Sequence, residues 1–306
     1  MVDFFFILSG FVLQPKLSKS SQLQEKTIFI AARVIRLAPL PILSIIFMTV
    51  RPHVAYFQQN NYIAPNDTLA IIGAMLLLQI FSGEIVRVNL TLWSLSSELF
   101  VNITSVFLYK LKLINLIIGA SIILIMLSII MELPAEYGLF ALSRTSLGFF
   151  LGVALRRKRV DREINLRRYY ISILLIGLAL YVGSKSTFAI LLGIPPFMIL
   201  ILETSFMKEI KISHHMKIVM QFLGRNSFGI YVWQIPVNSI LQSESIISAL
   251  NLRPVGVMTQ LLVVFSKLIT VLIISELTTR FFDTPIQRFL TKKLNLKFDK
   301  IPNISS

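Results

Sequence analysis

The feature that most constrains this chain is the recurrence of apolar runs from its first residues into its last quarter. They fall at roughly 2–13, 34–50, 68–82, 90–109, 113–131, 139–155, 169–183, 187–203, 218–242 and 257–282. Runs of this length, in 306 residues that are 55% hydrophobic with a mean hydropathy of +0.76, describe a polytopic helical membrane protein rather than a soluble domain. The expected fold class is all-α, a transmembrane helical bundle forming one domain over 1–306. No low-complexity linker or internal repeat divides it. In a soluble protein the net charge of +15 would suggest nucleic acid. Here the basic residues sit in short connections between apolar runs, where they act as topology signals. The chain contains no cysteine, which excludes disulfides, a thiolate nucleophile and a cysteine-based metal site.

Charge then orients the runs. Residues 156–168, RRKRVDREINLRR, carry seven Lys/Arg, and the tail from Arg288 adds Lys292, Lys293, Lys297 and Lys300, so both are expected in the cytoplasm. Residues 132–138, with two acids and no base, are expected outside, as is 51–67 with Arg51 alone. Lys16, Lys19 and Lys26 place the connection 14–33 inside. This alternation allows a single net crossing from 68–82 and 90–109. The shorter segment, 68–82, is expected to be re-entrant or interfacial and 90–109 to be the span. The count is then about nine spans. The opening run, MVDFFFILSGFVL, is shorter than the roughly 20 residues a crossing needs, and it has no signal-peptide features. A further helix upstream is therefore expected.

The strongest intramembrane feature is LTLWSLSSELFVNITSVFLY. Ser94, Glu98 and Asn102 are spaced i, i+4, i+8 with Ser105 three further on, which draws one polar stripe about 12 Å long on an apolar helix. A carboxylate there needs a cavity or a partner. It is either a catalytic or substrate-orienting group, or part of a hydrogen-bonded seam between helices. Arg144 has a similar expected depth and would pair with Glu98 if their helices are neighbours. Arg33 and Arg36, i and i+3 at the cytoplasmic start of a helix before Pro39 and Pro41, are either a positive-inside anchor or a phosphate clamp for a nucleotide-bearing donor. His53, His214 and His215 read as solvated loop residues, and Lys267 as a snorkelling side chain. No G-x-x-x-x-G-K-[ST], G-x-S-x-G or H-E-x-x-H motif occurs.

Six blocks in order, FFFILSGFVL (4–13), ARVIRLAPL (32–40), LTLWSLSSELF (90–100), LGFFLGVAL (147–155), LGRNSFGIYVWQIPV (223–237) and SELTTRFFDTPIQRF (275–289), resemble the type-three membrane acyltransferases. These are polysaccharide O-acetylases and nodulation-factor acetylases. The resemblance implies a ten-helix membrane enzyme that moves an acyl group, usually acetyl from acetyl-CoA, onto a hydroxyl of a carbohydrate or lipid-linked acceptor. It places Arg33 and Arg36 on the family's paired arginines as a phosphate clamp, and Ser9 and Gly10 on a Ser-Gly turn. Trp93, Ser94 and Glu98 fall on the Trp-Ser-Leu-x-x-Glu block, and Tyr231 and Trp233 on the late Tyr-x-Trp-His block. That block's histidine is Gln234 here, and the first helix, with its basic residue and histidine, is absent. Glutamine can hydrogen-bond but cannot take a proton at neutral pH. Little transfer is therefore expected from these 306 residues alone.

The reading that results is a membrane O-acyltransferase of the bacterial inner membrane, with its C-terminus cytoplasmic. Glu98 is the catalytic candidate. Arg33, Arg36, Trp93, Ser94, Asn102, Arg144, Tyr231, Trp233 and Gln234 are candidates for binding substrate. No metal or bound cofactor is expected, and acyl-CoA enters as co-substrate. The expected partners are the acyl-CoA donor, a glycan acceptor and membrane lipid, with no nucleic acid. The alternative from another class is a non-catalytic polytopic protein, a glycan or lipid transporter or a relic scaffold.

Overall fold

The computed structural model describes residues 2–20, 22–50, 68–81, 89–109, 113–133, 138–159, 165–183, 189–206, 213–241 and 257–298. The expected external connection 51–67, with His53, lies outside the described residues. All regular structure among the described residues is helical, as the apolar runs require. In lipid a backbone must satisfy its own polar groups, and a helix does so within one segment.

In chain order the helices are α1 (Val2–Lys19), α2 (Leu23–Leu37), α3 (Pro39–Val50), α4 (Thr68–Met75), α5 (Leu92–Leu108), α6 (Ile114–Ile130), α7 (Gly138–Arg157), α8 (Leu166–Gly183), α9 (Ala189–Thr204), α10 (His214–Leu241), α11 (Val257–Thr278) and α12 (Thr284–Phe298). A π-turn, Thr279–Asp283, joins α11 to α12. Among the described residues, three stretches are long and apolar enough to cross a membrane: Leu23–Val50, Gly138–Arg157 and Gln260–Leu294. Shorter apolar helices are Leu92–Leu108, Ile114–Ile130 and Leu191–Thr204. Among the described residues, segment 68–82 holds the eight residues of α4, about 12 Å of helix and well short of a roughly 30 Å hydrocarbon core, and a short 3-10 turn, Gln79–Phe81. Helix α4 is closed by a Schellman turn, with Leu77 N–H on the Ala74 carbonyl, Leu78 N–H on the Gly73 carbonyl, and Leu77 in the left-handed region at φ 55°.

Helices run past the apolar windows. The expected polar connection 14–33 is largely helical, because α1 continues to Lys19 and α2 begins at Leu23. Backbone hydrogen bonds do not stop where apolar side chains do. Arg33 and Arg36 therefore lie late in α2 and not at the start of a helix. Pro39 and Pro41, which have no N–H to donate, break the ladder at Ala38, where α3 takes over. The expected Ser-Gly turn at Ser9 and Gly10 is also absent, since both residues lie inside continuous α1.

The chain forms two compact units, Met1–Ile30 with Ser96–Lys211, and Ala31–Leu95 with Ile212–Ser306. In the first, α1 packs on α7, α6 on α7, and α8 on α9. Gly10 and the Gly148/Gly152 pair permit the α1–α7 approach. A Cβ at Gly10 would strike the Phe149 carbonyl, one at Gly152 the Ile7 carbonyl, and one at Gly148 would lie 2.8 Å from Phe6 Cβ. Lipid tails are as apolar as leucine, so burial alone does not drive helices together in a membrane. Close backbone contact through small residues does. Ile7, Phe11, Phe140 and Leu147 pack beside this seam, with Leu13, Phe149, Phe150 and Val153 in the adjoining cluster. In the second unit α10 packs on α11 and on α3, with Trp233, Val237 and Val271 buried together.

Candidate functional site

In the first unit, three polar contacts join α1, α5 and α7. Asp3 and Arg144 are both buried and form a two-pronged ion pair, with Arg144 Nε donating to Oδ1 at 3.2 Å and Nη2 to Oδ2 at 3.0 Å. Ser9 Oγ donates to Glu98 Oε1 at 2.9 Å. Ser97 Oγ and Thr145 Oγ1 are 2.8 Å apart. A carboxylate shown against Arg144 is thus Asp3, which α1, packed against α7 through its glycines, brings to it. Asp3 was missed although it is an acid within an apolar run, which is itself a signal.

One turn beyond Glu98 on α5, Asn102 is fully buried, and neither Oδ1 nor Nδ2 has a hydrogen-bond partner among the described residues. Leaving such a group unmet costs about 1–3 kcal/mol. Asn102 is the member of the stripe that fits a seam least. Ser105 only returns its hydroxyl to the Asn102 carbonyl at 2.8 Å.

The remaining stripe residue, Ser94, belongs to the second unit and to a different network. Its Oγ lies 2.6 Å from Tyr231 OH, which also donates to the Thr91 carbonyl at 2.8 Å. Asn89 holds this corner. Its Nδ2 donates to the Val232 carbonyl at 3.0 Å and to Ser44 Oγ at 3.3 Å, while its Oδ1 accepts the Thr91 hydroxyl at 2.8 Å. The Asx turn so formed leads into α5, a signal present in the sequence as Asn-Leu-Thr and not used above. Trp233 is buried edge-on to Phe47 with ring centroids 5.4 Å apart, and its Nε1 has no hydrogen-bond partner among the described residues. Trp93 is buried as well, whereas Gln234, next to Trp233, is exposed.

The paired arginines also lie in this unit. Arg36 is exposed and Arg33 is half-buried. The Arg36 carbonyl accepts a hydrogen bond from Gln287 at 3.3 Å, and Gln287 donates to Asp283 Oδ2 at 2.8 Å. The two late sequence blocks pack on one another. Arg225 grips both Glu276 oxygens at 2.8 and 2.9 Å, Asn226 Nδ2 donates to Glu276 Oε2 at 2.6 Å, and Ser275 Oγ donates to the Asn226 carbonyl at 3.0 Å. Gly229 allows this contact, because a Cβ there would strike Ser275 Oγ. These residues of the late blocks hold α10 to α11. His214 and His215 are exposed at the start of α10.

Chemically, the second unit offers an exposed guanidinium beside a half-buried one, and the first offers a carboxylate held by a serine. No curated protein and no solved structure matches the chain. The sequence model of the type-3 acyltransferase family, described as an acyltransferase domain, matches residues 1–280, most of its length. With its helical fold and apolar spans, the chain is an integral membrane protein belonging to the type-3 acyltransferase family.

Proposed function

We propose that the protein is an O-acyltransferase that carries an acyl group, acetyl in the usual case, from acyl-CoA to a hydroxyl of a cell-surface or lipid-linked carbohydrate. The observation that carries this reading is the family match over residues 1–280, which includes the arginine pair on α2, Arg36 being exposed. In the reaction the acceptor oxygen bonds to the thioester carbonyl carbon, the C–S bond breaks, and the hydroxyl proton ends on the departing thiol. Arg33 and Arg36 bind the phosphates of the donor. Guanidinium forks suit phosphate oxygens, and charge-assisted hydrogen bonds are the strong ones. Glu98 orients a polar group of the acceptor. Asn102, in the same unit as Glu98, supplies a polar edge for the acceptor. Arg144, closed on Asp3, supports the fold around Glu98.

The basic stretch 156–168 and the C-terminus lie in the cytoplasm of a bacterial inner membrane, following the positive-inside excess. The test is transfer of labelled acetyl from acetyl-CoA to glycan in membranes carrying the protein or its Glu98→Gln variant. Glu98→Gln keeps the shape, loses the charge and is expected to abolish transfer at an unchanged membrane level. Full transfer by the variant would return Glu98 to a structural seam.

A further inference from the structure

The turn into the C-terminal helix ties an acid, through one amide, to the backbone of Arg36. Asp283 closes the π-turn between α11 and α12 and is 6% exposed. A π-turn adds a residue to the helical repeat and so re-aims the side chains that follow it. Asp283 Oδ2 accepts the Gln287 amide at 2.8 Å, while Oδ1 is buried without a hydrogen-bond partner among the described residues. The same Gln287 Nε2 donates to the Arg36 carbonyl at 3.3 Å, so one amide ties the carboxylate to the residue that carries the exposed guanidinium. Asp283 and Gln287 both lie beyond residues 1–280 of the family match.

A buried carboxylate is costly unless a cation or several donors offset it. Gln287 supplies one donor to one oxygen. A guanidinium has two edges and five N–H groups, so it can rest one edge on a carboxylate and present the other to an anion. We propose that Asp283 is a positioning residue for Arg36: when the acyl donor binds, its open oxygen takes one edge of the guanidinium, and Gln287 fixes the spacing, so that the other edge faces an anionic group of the donor. This rests on the reading of Arg33 and Arg36 as the donor clamp.

The experiment is equilibrium binding of acetyl-CoA to the full chain purified in detergent. Arg36→Ala is expected to weaken binding about tenfold or more, as loss of a charge-assisted contact does. Asp283→Asn is expected to weaken it about tenfold in the otherwise unchanged protein, and not at all in the Arg36→Ala background, because coupled residues are non-additive. Asp283→Glu should keep most of the affinity, and Gln287→Ala should lose about threefold through relaxed spacing. If Asp283→Asn does not fold, Gln287→Ala alone and combined with Arg36→Ala reads the same coupling. Equal weakening by Asp283→Asn with and without Arg36, or none in either, overturns the positioning role while leaving the clamp in place. If Arg36→Ala binds acetyl-CoA as tightly as the unaltered chain, the clamp fails and the positioning role with it.

Discussion

The chain contains two carboxylate and arginine arrangements that look alike in sequence and differ in kind. Asp3 and Arg144 close on each other, both buried, fork to fork, at the seam where glycines bring α1 and α7 together. Asp283 and Arg36 do not close. The acid is buried with one oxygen open, the arginine is exposed, and a glutamine holds them in register. A pair that satisfies itself contributes to assembly and offers little to a ligand. A charge held beside a counter-ion but left open can bind one. The position of an arginine in an apolar sequence therefore does not state its role; the role follows from how completely the partner occupies its donors.

The sharpest way to break this contrast is to remove one member of each pair. Arg144→Ala leaves Asp3 buried and uncompensated, and is expected to destabilise the protein by about 3–5 kcal/mol, with a clear fall in folded protein recovered from membranes. The exchange Asp3→Arg with Arg144→Asp should recover part of that loss, which a role confined to one residue's size would not allow. Arg36→Ala is expected to lower the melting temperature much less than Arg144→Ala, because Gln287 still donates to Asp283, and to weaken donor binding by about 1.5–3 kcal/mol. Thermal unfolding of both variants in one detergent reads the difference, and equal destabilisation would erase the distinction.

The seam itself can be tested without touching charge. Gly152→Val drives a side chain into the Ile7 carbonyl and should cost about 1–3 kcal/mol by overpacking, whereas Gly177→Val, at a glycine whose Cβ would meet nothing within 4 Å, should be nearly silent. Matching losses in the two melting curves would mean that the α1–α7 approach is not tight. The smallest effect is expected at Asn102. Replacing this unpartnered amide by leucine removes a desolvation cost of about 1–3 kcal/mol, so Asn102→Leu should be neutral or slightly stabilising. Lost acyl transfer in that stable variant would identify the amide as a ligand contact. Unchanged transfer would leave it as a passive member of the stripe.

Much of the architecture was legible in the residues. The apolar runs require helices, their spacing requires several, and the Glu98 stripe follows from i, i+4, i+8 spacing on α5. The helix ends were not legible, because hydrogen bonding carries α1 to Lys19 and α12 to Phe298 past the apolar windows. Nor were the partners. Ser94 and Glu98 share one helix face by spacing, yet Ser94 lies 2.6 Å from Tyr231 and Glu98 accepts from Ser9, contacts that join residues 137 and 89 positions apart.

By itself, then, the sequence determined an all-helical membrane protein, its family, and which side chains carry charge into the apolar interior, since these depend on composition, period and the cost of burying charge. Only the tertiary structure decided that Asp3 reaches Arg144, that the Ser9–Gly10 step is continuous helix, and that one amide joins Asp283 to the Arg36 backbone. The reason is physical. Local pattern fixes which face of a helix is polar, but the neighbour it meets is set by where backbones can approach, and that is decided by small residues such as Gly10, Gly148 and Gly152 far away in the chain.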